Sequence, residues 1–217
     1  ELRDESNEIV AFLRGHLAMV HSLRLDRSGS VMVSASRDRT IRVWSTATPS
    51  LRRVFTGATS WVNAVAFGPS TDVVVMASSD GLVRIWGPRG SRSLVVPARA
   101  GLNEGESLAV DRSASRLAVG TSGGLLLLAD LSAAATTSVV VAHEALIHEV
   151  DFSPDGRSIA SASRDHTARI WSAAGVLRHV LRGHRGEVSA AVFSADSRAV
   201  ATCGHDGTVR LWDASTG

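Results

Sequence analysis

Residues 181–213 decide the fold of this chain and read LRGHRGEVSAAVFSADSRAVATCGHDGTVRLWD. After a Gly-His pair, three short apolar runs alternate with two polar turns, at residues 194–197 and 204–207, and the last run closes on Trp212-Asp213. Each run has the length of a β-strand, and each gap has the residue types of a turn. The stretch therefore predicts a small antiparallel meander.

The same unit recurs along the chain, and its tryptophans set the period. Four Trp residues, at positions 44, 86, 171 and 212, stand in the contexts RVWS, RIWG, RIWS and RLWD. The first two are 42 residues apart, the last two are 41 apart, and the gap of 85 between the pairs spans two periods. Ala129 in LLLLADL fills the missing slot. The sequence thus predicts five tandem units, at roughly residues 8–45, 51–87, 93–130, 137–172 and 177–213.

The period, the early Gly-His and the final Trp-Asp resemble the WD-repeat β-propeller family, whose repeats span roughly 40–45 residues. The resemblance covers nearly all of residues 1–217. It implies an all-β fold, a β-propeller built from five tandem WD-type repeats of four-stranded antiparallel blades around a channel. In this family three strands of a blade come from one repeat, and the outermost strand comes from the start of the next.

Three of the five units share four residues at fixed spacing, with Asp six residues before Trp and four after Ser or Thr. The resemblance implies that they form a buried hydrogen-bond chain, in which Asp accepts from the His ring, the hydroxyl bridges and the indole N–H donates. Losing one partner of such a chain costs about 1–3 kcal/mol. The three sets are His16, Ser34, Asp38 and Trp44; His143, Ser161, Asp165 and Trp171; and His184, Thr202, Asp206 and Trp212.

The same residue types could be taken for catalytic or metal-binding groups. Ser, His and Asp form hydrolase triads, but this set occurs three times in phase with a Trp, whereas an enzyme needs one nucleophile. His16 and His21, like His143 and His148, are five residues apart. One His of each pair belongs to a hydrogen-bond set, and no Cys or carboxylate stands at ligand spacing. We therefore expect no catalytic residue, no metal and no cofactor.

Two units depart from the shared set. Repeat 2 has Ala58 in place of the His and Met76 in place of the Ser, so its hydrogen-bond chain should be missing. Repeat 3 is the most divergent, with Val119, Gly123 and Ala129 where Ser, Asp and Trp would stand. Both units keep their apolar runs, which still predict buried strands.

Composition limits the possible partners. Hydrophobic residues make up 44% and charged residues 20% of the 217 residues, an ordinary globular balance. No apolar run reaches the roughly 18 residues of a membrane span, and residues 1–8 are too charged for a signal peptide. The pI of 9.8 does not indicate a strongly basic protein, because the net charge is only +2. The chain has no Lys or Tyr, so few groups titrate above neutral pH and a small excess of Arg raises the pI. We expect no nucleic-acid or membrane partner. The single Cys203 favours the cytoplasm or another reducing intracellular compartment.

The start of the chain leaves two architectures open. Residues 2–4 align with residues 211–213, which indicates the end of an upstream repeat or its remnant. If residues 8–13 pair with residues 208–212, five four-stranded blades close into a ring. Otherwise the chain is part of a larger propeller, since proteins of the family usually have about seven or eight blades.

The resemblance implies a non-catalytic scaffold that binds a peptide or a partner domain at the channel mouth. Trp61 is the predicted anchor, and Arg37 and Arg164 favour an acidic or phosphorylated peptide. The alternative is a sensor or autoinhibitory module of a larger signalling kinase or nucleotidase. The predicted contact residues are Met19, His21, Arg37, Trp61, Asn63, Ser79, Leu146, His148, Arg164, Glu187, Ser189 and His205, joined in repeat 3 by Glu104, Glu106 and Ser122.

Overall fold

The computed structural model describes residues 2–3, 9–88, 90–97, 104–131 and 135–217. Within these ranges the chain forms β-strands and turns but no helix, and so no helix that is long and apolar enough to cross a membrane. Twenty-one strands among the described residues make up six antiparallel sheets. Five of these sheets correspond to the five predicted repeats, and we call them blades 1 to 5.

The strands of each blade follow one another in chain order across the sheet. Blade 1 contains β3 (Val20–Leu25), β4 (Val31–Ser36), β5 (Ile41–Ser45) and β6 (Ser50–Phe55). Blade 2 contains β7 (Val62–Phe67), β8 (Val74–Ser78), β9 (Leu82–Gly87) and β10 (Gly90–Val95). Blade 3 contains β11 (Gly105–Val110), β12 (Arg116–Thr121), β13 (Leu125–Asp130) and β14 (Ala135–Val141). Blade 4 contains β15 (Ile147–Phe152), β16 (Ser158–Ser163), β17 (Ala168–Ser172) and β18 (Leu177–Leu181), and blade 5 contains β19 (Val188–Phe193), β20 (Ala199–Gly204) and β21 (Val209–Asp213).

The offset between repeat and blade is confirmed. The fourth strand of blade 1 is β6, which is the first strand of the second repeat, and the other four-stranded blades borrow their outermost strand in the same way. The sequence predicts the first three strands of blade 1 at residues 20–25, 31–36 and 40–44, and the structure places them there to within one residue. The inner strands of blades 2, 3 and 4 are buried on both faces because each of these blades packs between two others.

The core consists of the contacts between successive blades rather than of one central cluster. Aliphatic side chains of blade 1, such as Ile41 and Val43, pack on Val62 and Val65 of blade 2. Equivalent apolar clusters join blades 2 and 3, blades 3 and 4, and blades 4 and 5. This serial packing explains why a unit of about 42 residues repeats, since a single blade cannot bury its own faces.

The strand pair that would close a five-blade ring, one of the two architectures that the sequence leaves open, is not formed among the described residues. The short strand β2 (Ile9–Ala11) pairs with β1 (Leu2–Arg3), while β21 pairs with β20 and with no other strand in the described ranges. Arg3 stands opposite Ile9 much as Trp171 stands opposite Leu177 in blade 4, so β1 and β2 occupy the places of the third and fourth strands of a blade. Because β2 already has this partner, blade 5 keeps three strands. Residues 4–8 lie outside the described residues.

Candidate functional site at the channel mouth

Blades 1, 4 and 5 each contain the hydrogen-bond chain that the spacing suggests. In blade 4, His143 Nδ1 lies 2.8 Å from Asp165 Oδ2 and His143 Nε2 lies 2.7 Å from Ser161 Oγ, while Trp171 Nε1 donates to Ser161 Oγ at 2.9 Å. A carboxylate can only accept, so Nδ1 carries the proton and the hydroxyl donates to Nε2. The sets that begin at His16 and His184 have the same geometry, with distances of 2.8–3.0 Å.

The aspartates of these chains are held in their charged form. Burial alone would raise the pKa of the Asp165 carboxyl, but hydrogen bonds from His143, Thr167 and the Glu144 N–H outweigh it, so the pKa falls well below its usual range. Burial lowers the pKa of His143 despite its bond to Asp165, which keeps this ring neutral. In blade 4 the hydrogen-bond chain therefore consists of a neutral His between a carboxylate and a hydroxyl. All of these polar groups have partners, so the arrangement is structural.

Repeat 2 replaces its missing histidine with an arginine that the sequence reading overlooks. Arg84 Nη1 donates to Asp80 at 2.8–2.9 Å, and the Thr59 N–H donates to the same carboxylate. Burial raises the pKa of Asp80, but the Arg84 bond comes next in size and the net effect lowers it to about 2. Trp86 no longer has a Ser partner and packs on Phe55, with ring centroids 5.1 Å apart. An arginine also stands four residues after the turn Asp in blades 1, 4 and 5, where it lies 3.6–3.9 Å from the Asp in blades 4 and 5, so the spacing alone does not reveal this exchange.

All five repeats carry the same backbone hydrogen bond at the channel mouth. The backbone N–H of the residue just before the turn Asp donates to the carbonyl of the residue three places after the His of Gly-His. The N···O distances are 2.8–3.0 Å. Repeat 3 forms this bond between Ser122 and Glu104, so the alignment extends to the most divergent unit. The pairs, donor first, are Arg37 and Met19, Ser79 and Trp61, Ser122 and Glu104, Arg164 and Leu146, and His205 and Glu187.

A β-bulge in every innermost strand sets the second ring of predicted contact residues. In blade 1, Val20 pairs with Ser36 and Ser22 pairs with Ala35, so His21 is the extra residue between them. A bulge bends the strand and re-aims the side chain that it carries. The five bulged residues are His21, Asn63, Glu106, His148 and Ser189.

On the side of blades 1 to 3 the mouth combines an aromatic, an arginine and two carboxylates. The Arg37 guanidinium carbon lies 4.3 Å from the centroid of the Trp61 ring, which is still 49% exposed. The buried Asn63 amide donates to Ser79, to the Gly105 carbonyl and to Glu106 Oε2, at 2.9, 3.1 and 3.3 Å. This side of the mouth is therefore a connected polar surface around one half-exposed indole.

Glu106 is the most strongly perturbed group of the mouth. Burial, a hydrogen bond to Glu104 and the negative charge of Glu104 raise its pKa to about 7, and the nearby Arg37 charge opposes the rise. Glu106 therefore keeps its proton to a higher pH than an ordinary carboxyl, because a buried carboxyl beside a second carboxylate does not ionise readily.

On the side of blades 4 and 5, Glu187 is the centre of a charged cluster. Its carboxylate lies 3.0 Å from Arg164 Nε, 3.1 Å from His148 Nε2 and 3.9 Å from His205 Nδ1. The hydrogen bond from His148 is the largest contribution that lowers the pKa of Glu187. The imidazole rings of His148 and His205 are 6.5 Å apart, so the cluster holds three basic groups around one acid.

These contacts change the interpretation of the two arginines. The sequence predicts Arg37 and Arg164 as free partners for an acidic or phosphorylated ligand. In the structure Arg164 is paired with Glu187, and Arg37 is stacked on Trp61 within electrostatic range of Glu106. An incoming anion would have to compete with carboxylates of the protein itself, so the arrangement gives no preference for an acidic peptide.

One segment has the spacing of a serine-hydrolase elbow. Residues 120–124 read GTSGG and fit the pattern Gly-x-Ser-x-Gly. They lie in the turn of an antiparallel hairpin between β12 and β13, whereas the elbow requires a turn from a strand into a helix. Ser122 is buried, and its hydroxyl oxygen accepts a hydrogen bond from the Glu104 N–H. The serine therefore lies in a hairpin turn and has its hydroxyl bonded within blade 3, not in the strand-to-helix turn of a hydrolase.

The raised pKa of Glu106 leads to a pH-dependent stability. Between pH 4.5 and about 7 the folded state keeps a proton that the unfolded state has lost, so stability is present below pH 4.5 and falls as pH rises through 7. Glu106→Gln, which is neutral at every pH, should be more stable than the native chain at about pH 8 by roughly 1–3 kcal/mol, with no such gain at about pH 4.5. Urea unfolding at both pH values measures the difference.

Burial also raises the pKa values of other acids, such as Glu149 and Asp151. Both proteins contain these acids, so their contribution to the pH dependence cancels when the two stabilities are compared. Glu104→Gln serves as a control, because it removes the neighbouring charge and should give an intermediate profile. Parallel stability curves for Glu106→Gln and the native chain would contradict the raised pKa of Glu106.

The five sheets and the hydrogen-bond chains that recur in three of them define a class of protein, a β-propeller built from tandem repeats. The family model described as WD domain, G-beta repeat, matches residues 7–45, 49–87, 135–172 and 175–213. The chain therefore belongs to the WD-repeat family. Proteins of this family act generally as non-catalytic interaction scaffolds that bind other proteins.

Three relatives illustrate the range of the family. The chain is 29% identical over 187 residues to the apoptotic protease-activating factor 1 of Danio rerio, which covers 83% of this chain and 14% of that protein. It is 32% identical over 194 residues to the target of rapamycin complex subunit LST8 of Saccharomyces cerevisiae, with 85% and 63% covered. It is 28% identical over 166 residues to the WD repeat-containing protein SL1-17 of Schistosoma mansoni, with 72% and 52% covered. The chain thus spans only about a seventh to about two thirds of the length of these relatives.

Proposed function

We propose that this chain is a non-catalytic scaffold that binds a peptide or a segment of a partner protein at the channel mouth. The observation that carries the proposal is the half-exposed Trp61 indole, which lies beside Arg37 and the Asn63–Glu106 network. Trp and Arg are the side chains most often found at the energetic centre of protein contacts. The channel mouth offers both, on backbone positions that five identical hydrogen bonds hold in place.

The surroundings of Trp61 support an anchoring role. The Arg37 guanidinium covers part of one ring face, which orients the indole before a partner arrives. The indole is not part of the hydrogen-bond framework of blade 2, since Asp80 is satisfied by Arg84 and Thr59. A large aromatic ring that is already oriented loses little conformational entropy when a partner covers it.

The two sides of the mouth suit a ligand with mixed chemistry. The side of blades 2 and 3 offers the Glu104–Glu106 pair, and the side of blades 4 and 5 offers Arg164, His148 and His205 around Glu187. The ligand of the proposal is therefore a peptide that places an apolar or aromatic residue on Trp61 and polar residues of both signs around it.

Trp61→Ala tests this function. Peptides selected on the immobilised native chain from a displayed random library would be titrated against both proteins by calorimetry. We expect the variant to bind at least about fivefold more weakly, which corresponds to a loss of about 1 kcal/mol or more, while its melting temperature stays nearly the same.

Leu177→Ala is the matched control, because Leu177 is similarly exposed but lies in the outermost strand of blade 4. It should bind the selected peptides as the native chain does. If Trp61→Ala binds equally well but melts at a much lower temperature, Trp61 is a packing residue and the channel mouth is not the binding site.

A second candidate function is a sensor or autoinhibitory module within a longer signalling protein. The observation that favours it is the match to apoptotic protease-activating factor 1 of fish, rat and mouse, of which the chain spans only 13–14%. In such a module the channel mouth would bind a segment of the same polypeptide, and selected peptides would resemble that segment.

A further inference from the structure

The acids on the two sides of the channel mouth differ in their partners. On the side of blades 4 and 5, Glu187 is neutralised by Arg164 and His148. Among the described residues, no basic group forms an ion pair with Glu104 or Glu106, and only the Glu104 and Arg37 charges act on the Glu106 carboxyl. The side of blades 2 and 3 therefore carries negative charge that the chain itself does not pair.

Asn63 holds the Glu106 carboxyl in place at the mouth. The Asn63 side chain is buried, and bonds to Ser79 and to the Gly105 carbonyl orient its amide group. The same amide nitrogen donates to Glu106 Oε2 at 3.3 Å. A carboxylate offers about four lone-pair positions, so this bond and the one to Glu104 leave Glu106 able to accept from a ligand.

Arg37 does not use this remaining capacity. Its guanidinium carbon lies 4.3 Å from the centroid of the Trp61 ring, and its Nε is buried without a hydrogen-bond acceptor among the described residues. It acts on Glu106 through its charge. The arginine is thus held by stacking on the indole, and the two carboxylates of blade 3 stay available to a second cation.

The strands packed on β11 bring no further charge to Glu106. These strands are β7, β8, β12 and β15, and the first two contain no charged residue. The charged groups of β12 and β15 are bound elsewhere, and none of them contributes to the pKa shift of Glu106. They are Arg116 with Asp111, His148 with Glu187, Glu149 with the Ala191 N–H, and Asp151 with the Phe193 N–H.

We propose that Glu104 and Glu106 select a basic residue in the peptide bound at the channel mouth, a lysine or arginine whose cationic group lies against both carboxylates beside the residue that covers Trp61. The inference rests on the proposed function and names the chemistry of its ligand. Unpaired negative charge at a contact surface favours a positive partner. Hydrogen bonds between a cation and a carboxylate are also about twice as strong as those between neutral groups.

Such a contact couples binding to the release of a proton. Burial and the neighbouring Glu104 raise the pKa of Glu106 to about 7, so below this pH the free protein carries a proton there. The ion pair requires the ionised carboxylate, so the proton passes to the buffer when the cation binds. Affinity is then reduced below the pKa of the free protein and rises through it, by about tenfold from about pH 6 to about pH 8.

Peptides selected from a displayed random library on the immobilised native chain at about pH 8 test the specificity. We expect a Lys or Arg close to an apolar residue in most of them. One selected peptide is then synthesised unchanged and with norleucine in place of its basic residue, and calorimetry at about pH 6 and about pH 8 compares the two. The basic peptide should gain about tenfold in affinity at the higher pH, and the norleucine peptide should not.

The same titrations count the proton. In two buffers of different ionisation enthalpy at about pH 6, the basic peptide should release about one proton from the native chain and none from Glu106→Gln. This variant keeps the histidines of the mouth, so a proton that came from them would persist. Asp72→Asn removes an exposed carboxylate from the turn at the opposite end of blade 2 and should release the proton as the native chain does. The norleucine peptide needs no protein variant, so the test does not depend on folding of Glu106→Gln.

The outcomes separate this inference from the proposed function. Selected peptides that need Trp61 but lack a basic residue would overturn the inference and leave the scaffold intact, and so would an unchanged proton release in Glu106→Gln. Peptides enriched in acidic residues would overturn it as well, in favour of the arginines. Peptides that bind Trp61→Ala as tightly as the native chain would overturn the proposed function, and a selection that yields no binding peptide would overturn both.

Discussion

Gly124→Ala is expected to destabilise the fold by about 3–5 kcal/mol, the largest effect of any single substitution considered for this chain. Gly124 has a φ of +76°, and a Cβ there would lie 2.4 Å from the carbonyl oxygen of His143 and 2.8 Å from that of Ala145. Both obstacles are backbone atoms, and the Gly124 carbonyl also accepts from the Ala142 and His143 N–H groups. The methyl group would therefore push apart the hairpin of blade 3 and the start of the fourth repeat.

Gly207→Ala separates the steric effect from the backbone effect. Gly207 occupies the same turn position in blade 5 with a φ of +75°, and a Cβ there would meet nothing within 4 Å. It should cost only about 1 kcal/mol, the usual penalty for a left-handed conformation. Arg39 and His166 hold this position in blades 1 and 4 with a φ of 69°. Urea unfolding of both variants measures the difference, and equal costs would contradict the predicted clash.

His143→Ala should destabilise the fold by about 2–4 kcal/mol, the second largest effect. The substitution leaves the Asp165 carboxylate and the Ser161 hydroxyl without their ring partner in a buried site. His21→Ala makes the same chemical change at an exposed position and should cost little. Adding Ser161→Ala to His143→Ala should cost less than the sum of the two single changes, because the two residues form one chain. An additive double variant would contradict the assignment.

The same variant should change the response to acid. Asp165 has a lowered pKa, so its contribution to stability is present above the pKa of the unfolded state and is lost as pH falls towards the folded value. His143 is one of the groups that lowers this pKa. In His143→Ala the acid transition should therefore begin at a higher pH, as circular dichroism during an acid titration would show.

The sequence predicts the fold in detail because the same pattern recurs in several repeats, so that each repeat supports the interpretation of the others. The spacing of Trp44, Trp86, Trp171 and Trp212 reveals the number of units, and the borrowed outer strand follows from the resemblance. The predicted contact positions follow from the position of each residue within its repeat. The backbone hydrogen bond between Ser122 and Glu104 shows that the divergent third repeat keeps the same alignment.

The position of a residue within its repeat does not predict its side-chain partner at the channel mouth. The main pairs join residues of different blades, and the sequence does not give the distances between blades. Glu187 is predicted as one contact residue among many, yet it is the centre of a cluster with Arg164 and His148. The replacement of the missing His by Arg84 is not evident either, because an arginine stands four places after the turn Asp in the repeats that keep their His as well. The strand pair that would close a five-blade ring is absent from the described residues for a different reason, because β2 pairs with β1 instead.

The unequal distribution of polar groups among the blades gives the molecule an uneven response to cold. The apolar cluster between blades 2 and 3, around Leu108, Leu117 and Leu127, is purely aliphatic, whereas blades 1, 4 and 5 each contain a complete hydrogen-bond chain. Aliphatic burial carries most of the heat-capacity change of unfolding and stabilises less as temperature falls. Cold should therefore weaken the aliphatic contacts between blades 2 and 3 more than the hydrogen-bond chains within blades 1, 4 and 5, and leave the Asn63 hydrogen bonds to Gly105 and Glu106 as the polar link of this junction.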